Sequence, residues 1–122
     1  MQLSRDSSAA NFIRAWEPGR VRIADRWIAG NVLVGNDAII ESWTTTAAGR
    51  LTIADLEPAL AQTPTIIVLG MGVERLLPDV DLMAAAAARS VGLEIMTTPA
   101  ACRTFNVLLQ EQRRVVAALF NP

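Results

Sequence analysis

Thr65-Ile66-Ile67-Val68-Leu69-Gly70-Met71-Gly72 is a continuous apolar, largely β-branched run that stops on two glycines. A half-exposed strand would alternate apolar with polar residues, so this run reads as a strand covered on both faces. Downstream, Asp79 suits a helix cap, Asp81 favours the dipole of the first turn, and residues 80–90 carry the tract Ala84–Ala88, whose small side chains let a helix approach its neighbours closely. Leu93-Glu94-Ile95-Met96 is then a second short buried strand. Strand, helix and strand of this length make a βαβ crossover, which is right-handed and leaves its two strands parallel.

The chain then turns from strand straight into helix at Thr97-Thr98-Pro99-Ala100-Ala101-Cys102-Arg103-Thr104-Phe105-Asn106. Thr98 is the expected N-cap and Pro99 the first helical residue, where its missing N–H would be unpaired anyway. With Phe105 at the centre of the buried face, the 3.6-residue period puts Ala101, Cys102, Leu108 and Leu109 on the same side. Arg103, Val107 and Gln110 point away, and Thr104 and Asn106 fall at the margins. The helix is expected to run to about Gln112, and Val115 to Phe120 reads as a last buried strand. Upstream, Thr52-Ile53-Ala54-Asp55 is a capping pattern in which the Thr side chain accepts a backbone N–H, opening a helix from Ile53 to Gln62 with Pro58 near its first turns. Residues 52–122 therefore form an α/β half.

Residues 1–10 read as an irregular lead-in and 11–43 as a β-rich half, with expected strands Phe12–Trp16, Arg20–Ala24, Asn31–Val34 and Ala38–Trp43. Turn signals at Pro18-Gly19, Gly30-Asn31 and Gly35-Asn36-Asp37 separate them into hairpins or a meander. Trp16, Trp27 and Trp43 all lie in this half and are read as core or sheet-edge packing rather than a binding platform.

At 122 residues and 52% hydrophobic, the chain is a single domain, 1–122, with a core of its own. Its net charge of −1 and scattered arginines argue against a nucleic-acid groove. All eleven basic residues are Arg; Lys, His and Tyr are absent. A Ser-His-Asp triad, a Cys-His dyad, a Schiff-base Lys, a P-loop Lys and a His-containing zinc site are thereby excluded within one chain. A single Cys excludes an intrachain disulfide or a Cys-rich metal site. No catalytic residue, metal site or cofactor is expected, and more than one carboxylate lacks any visible pairing, Glu41, Glu74, Asp79 and Glu94 among them. The N-terminus lacks the apolar core of a signal peptide, and no run approaches the ~20 apolar residues of a membrane helix, so the expectation is a cytoplasmic protein without an integral membrane segment.

Candidate ligand-binding residues are Gly70, Met71, Gly72, Thr97, Thr98, Arg103 and Asn106. The glycine motif is a weak dinucleotide fingerprint, because Arg75 occupies the third glycine's place and no helix opens directly. Loops after adjacent parallel strands do share one sheet edge, so Gly70–Gly72 and Thr97-Thr98 are expected at one crevice. There the helix N–H groups, the Thr98 hydroxyl and Asn106 or Arg103 would hold a carboxylate or phosphate. Cys102, in the first helical turns but on the apolar face and without a His, is read as buried and inert.

Four segments carry a family resemblance: Thr65–Gly72, Gly92–Thr98, Ala100–Leu108 and Arg113–Leu119. In order and spacing they resemble the small domain of unknown function shared by many bacterial proteins and by mitochondrial complex I assembly factor 3. The resemblance implies a three-layer α/β fold around a central mixed sheet, built from the C-terminal βαβ-αβ half with an additional β-rich N-terminal layer. It brings no reaction, and from the mitochondrial relative it implies an assembly role through protein contacts. The chain departs from the family at Thr97-Thr98, where Asp-Thr is expected, and at Gln112, where Gly is common. The expectation is a non-catalytic interaction or assembly protein with a protein partner, linked to respiratory complex assembly. The alternative is a binder of a small anionic metabolite, or a cofactor-independent enzyme, at the Gly70–Gly72 and Thr97-Thr98 crevice. Val107 and Phe120, as apolar surface, would serve a homodimer.

Overall fold

In the computed structural model, which describes residues 11–73 and 79–121, the strands divide between two sheets. Strands β1 (Ile13–Glu17), β2 (Arg20–Ile23) and β3 (Arg26–Ala29) form an antiparallel meander. Strand β3 is missing from the sequence reading. Its hairpin turn is Ala24-Asp25 with Ala24 at φ 55, and alanine is not a residue that signals such a turn. Only Ile28 of β3 enters the core, which leaves little alternation to detect. The lead-in expected for residues 1–10, together with Glu74 and Arg75, lies outside the described residues.

The next strands correct the reading of 11–43 as one layer. β4 (Val32–Val34) and β5 (Ile39–Glu41) leave the meander and extend the central sheet, which also holds β6 (Ile66–Gly70), β7 (Gly92–Met96) and β8 (Val115–Leu119) in the order β5-β4-β8-β6-β7. Val32-Leu33-Val34 is buried throughout and therefore needs cover on both faces, which a central strand has. β8 pairs parallel with β6 (Val68 opposite Ala117) and antiparallel with β4 (Leu33 opposite Ala118), so the sheet is mixed. β6 and β7 are parallel, as the crossover requires.

The expected helix 53–62 is two pieces: a 3-10 turn at Ile53–Leu56 and the short helix α1 (Glu57–Leu60). Pro58 has no N–H to give the Ala54 carbonyl, and the Glu57 N–H bonds that carbonyl instead, in the 3-10 pattern. α2 (Val80–Ala88) is capped by Asp79, whose carboxylate accepts the Leu82 N–H at 3.0 Å. α3 spans Thr98–Gln110.

Alternation along β8 divides the core. Val115, Ala117 and Leu119 face one cluster with Phe105, Cys102 and Ala101 of α3 and Val21, Ile23 and Ile28 of the meander. Val116, Ala118 and Phe120 face the other, with Leu56, Ala59, Leu82 and Ala86. The result is three layers: α3 with the meander, the central sheet, and α1 with α2.

Candidate functional site

The start of α3 is shifted by one residue from the sequence reading. Thr97, not Thr98, is the N-cap; it is extended, and its hydroxyl accepts the Ala100 N–H at 3.4 Å. Thr98 is the first helical residue and is completely buried. Its hydroxyl accepts the Gly72 N–H at 2.7 Å and donates to the Phe120 carbonyl at 2.7 Å, while its own N–H donates to the Gly72 carbonyl at 2.7 Å. One threonine thus joins the ends of β6, β8 and α3.

The glycines explain why this junction is tight. A Cβ on Gly70 would stand 2.9 Å from Thr98 Cα, closer than real side chains approach backbone, and 3.1 Å from Ala101 Cβ, a tight contact. Gly72 is buried at φ 88, a conformation glycine adopts without strain. Met71 donates its N–H to Met96, and Phe120 donates to Gly70. Gly70, Gly72 and Thr98 therefore do meet, but by direct contact. The donors proposed for an anion are in use: the Thr98 N–H is bonded, Pro99 has none, and Ala100 is held by Thr97.

Asn106 is committed elsewhere. Its side chain donates to the Ile13 carbonyl and accepts the Ile13 N–H, both at 2.8 Å, so it pairs with β1 as a neighbouring strand would. Arg103 is exposed on the outer face of α3. Cys102 is buried, and that burial pushes its thiol up to about 12, outweighing the Arg103 charge that favours the thiolate. Among the described residues no three His, Cys, Asp or Glu side chains gather as a metal would require.

Open space lies beside the junction. A hollow of about 450 Å³ is lined by Met71, Gly72 and Val73 after β6 and by Phe120 after β8, and its opposite wall is Asn31 with residues 45–48. A smaller hollow of about 60 Å³ shares Gly72, Val73 and Phe120 and is closed by Trp16, Pro18, Gly19 and Asn121. Asp55 orders the 44–52 loop that forms the first hollow's far wall. Its carboxylate accepts the Thr52 N–H at 2.9 Å, the Thr52 hydroxyl at 3.1 Å and the Thr46 hydroxyl at 2.8 Å. Thr52 and Asp55 thus form the capping box expected from the sequence, and the Thr52 hydroxyl also bonds the Asp55 carboxylate. These donors, the Thr52 N–H foremost, hold the Asp55 carboxyl below its ordinary value of 3.8.

A family model of proteins of unknown function (DUF498/DUF598) matches residues 13–120. The chain belongs to that family. This DUF498/DUF598 chain is 27% identical over 122 residues to an assembly factor 3 of the NADH dehydrogenase [ubiquinone] 1 alpha subcomplex from Danio rerio, covering 98% of its own length and 70% of the relative's. A Bordetella parapertussis crystal structure superimposes with a TM-score of 0.84 at 28% identity, over 93% of this chain and 98% of the other. A Bartonella henselae structure described as an outer membrane protein gives 0.79 at 29% identity, over 93% and 97%. Among the described residues of this chain no helix is long and apolar enough to cross a membrane.

At the two positions where the resemblance led one to expect other residues, the structure of this DUF498/DUF598 chain accommodates those present. Position 97 is the N-cap, a role Thr fills as Asp does. Gln112 follows α3 at φ 62, the left-handed conformation that glycine adopts most easily. Asn31, Thr45, Thr46, Ala47, Ala48 and Phe120, which line the larger hollow, went unnoticed in the sequence. No local motif marks them, since their proximity comes from β4 and β8 pairing across about 80 residues of chain.

Proposed function

We propose that this protein is a non-catalytic interaction protein that presents a rigid α/β surface to a protein partner in the assembly of a respiratory complex. The observation that carries the reading is the outer side of α2. Leu82 and Ala86 fill the core, yet the opposite face is also apolar: Val80 is 69% and Met83 37% exposed, with Ala84 and Ala87 exposed beside them. Apart from Asp81 in its first turn, α2 is apolar all round, and a helix of that kind is ordinarily covered on every side. The absence of His, Lys and Tyr supports a role without catalysis, and the name of the zebrafish relative supports the kind of partner. Phe120, which the homodimer reading needed at the surface, is buried; Val107 remains exposed.

A photo-crosslinking residue at Met83, with exposed Asp25 as the control position, tests this in the native host. The expected adduct is a subunit or assembly intermediate of a respiratory complex, formed from position 83 and not from 25. Turnover of a small substrate by the purified protein, lost on substitution beside Gly72, would overturn the reading, as would adducts made only with a second copy of this chain.

A further inference from the structure

The described residues hold four sulfur atoms, in Met71, Met83, Met96 and Cys102, and their surroundings differ. Cys102 is buried on the core face of α3, and its thiol, pushed up to about 12, supplies almost no thiolate near neutral pH. Met71 and Met96 are half-buried and pack against the two cores, Met71 on the side of α1 and α2 and Met96 on the side of α3. The Met96 sulfur also accepts the Thr104 hydroxyl at 3.3 Å. Met83 belongs to neither core cluster and stands 37% exposed on the outer side of α2. Helical side chains lean toward the N-terminus, so Met83 lies over the turn that carries Val80. Ala84 and Ala87 beside it are exposed and too short to shade its sulfur.

A thioether gives a lone pair to peroxide without first losing a proton, so access rather than pKa selects the methionine that reacts. The sulfur bonds one peroxide oxygen, the O–O bond breaks, and the other oxygen takes up a proton and leaves as water. One thioether and one hydrogen peroxide give one sulfoxide and one water, the sulfur losing two electrons and the peroxide gaining them. The product is a strong hydrogen-bond acceptor where an apolar group had been. At Met71 or Met96 that change would strike a core. At Met83 it falls on the apolar outer face of α2, where a docked partner would desolvate the new oxygen without a donor to meet it. We propose that Met83 is an oxidation site for hydrogen peroxide, and that its sulfoxide switches off docking through α2 while the fold stays intact. The inference rests on the assembly reading of this surface and adds its regulation.

After brief treatment with hydrogen peroxide, peptide mass spectrometry should find sulfoxide forming at Met83 roughly threefold or more faster than at Met71 and Met96. Equal rates, or either of the others first, would overturn the assignment. Protein oxidised only at Met83 should keep the thermal midpoint of untreated protein; a lower midpoint would mean that the oxygen acts on the core. With the photo-crosslinking residue placed at Ala87, the oxidised protein should form the respiratory-complex adduct roughly tenfold less in a desalted extract of the native host. Methionine sulfoxide reductases supplied with their reductant should restore the yield. Met83→Leu, whatever its starting yield, should not respond to peroxide. Adducts that survive oxidation of Met83, or a peroxide loss that persists in Met83→Leu, would overturn the switch alone. Absence of the adduct from untreated protein would overturn the assembly reading, and the switch with it.

Discussion

Thr98 uses both functions of its hydroxyl in a place water does not reach, so its contribution is best judged by what its loss would strand. Thr98→Val keeps the shape but leaves the Gly72 N–H and the Phe120 carbonyl without partners, at an expected cost of about 2–4 kcal/mol in urea unfolding. Thr98→Ser, which keeps the hydroxyl, should recover most of it; equal losses in the two variants would show that the methyl, not the bonds, matters. Cys102 makes a prediction in pH. Its folded-state value, about 12, lies above the ordinary 9.0 because burial opposes the thiolate. The associated stability is fully present below pH 9 and is lost as the pH rises from 9 towards 12. Measured against Cys102→Ala, wild type should lose stability over that window and show none of this difference below it. A constant offset between the two proteins would mean that the thiol titrates normally.

At the scale of elements, α3 and the meander share an apolar cluster, and Asn106 adds a polar joint between them. Asn106 bonds both backbone groups of Ile13, and without it the outer edge of β1 has no partner at that residue. Asn106→Leu should therefore raise amide exchange across β1, β2 and β3 by about tenfold or more while β6 and β8 keep their protection. Uniform loosening of both sheets would contradict this. The same element shows what a sequence discloses. The buried face of α3, Ala101 through Leu109, follows from periodicity alone, since a helix's neighbours are its own residues. The doubly covered β6 and the crossover to β7 were legible for the same reason. The role of Asn106 was not, because its partner lies 93 residues away and an amide looks the same whether it holds a ligand or a strand. The one-residue shift at Thr97-Thr98 arose likewise: two adjacent threonines are equivalent caps until burial assigns one of them to Gly72 and Phe120. The two hollows were half legible, their Gly72 side from strand-end logic and their Thr45 side not at all.

For the molecule as a whole, one sheet serves two cores, and β8 is buried on both faces. Neither core can open without uncovering it, so the layers should unfold together. Trp16 packs on one core and Trp43 on the other, where its ring meets Phe120 edge-on at 5.5 Å. Variants that keep only one of these tryptophans should give coincident urea transitions; separate midpoints would mean that the layers are independent units. The central place of β8 also bears on how the protein is made. A ribosome delivers β4 and β6 well before the strand that must lie between them, with roughly 80 residues separating β4 from β8. At about 5–20 residues per second that interval lasts on the order of 4–16 s. Throughout it β4 keeps an open edge, and from the completion of β6, about 45 residues before β8, the nascent chain carries two such apolar strands, which makes translation the period in which this fold most needs a chaperone.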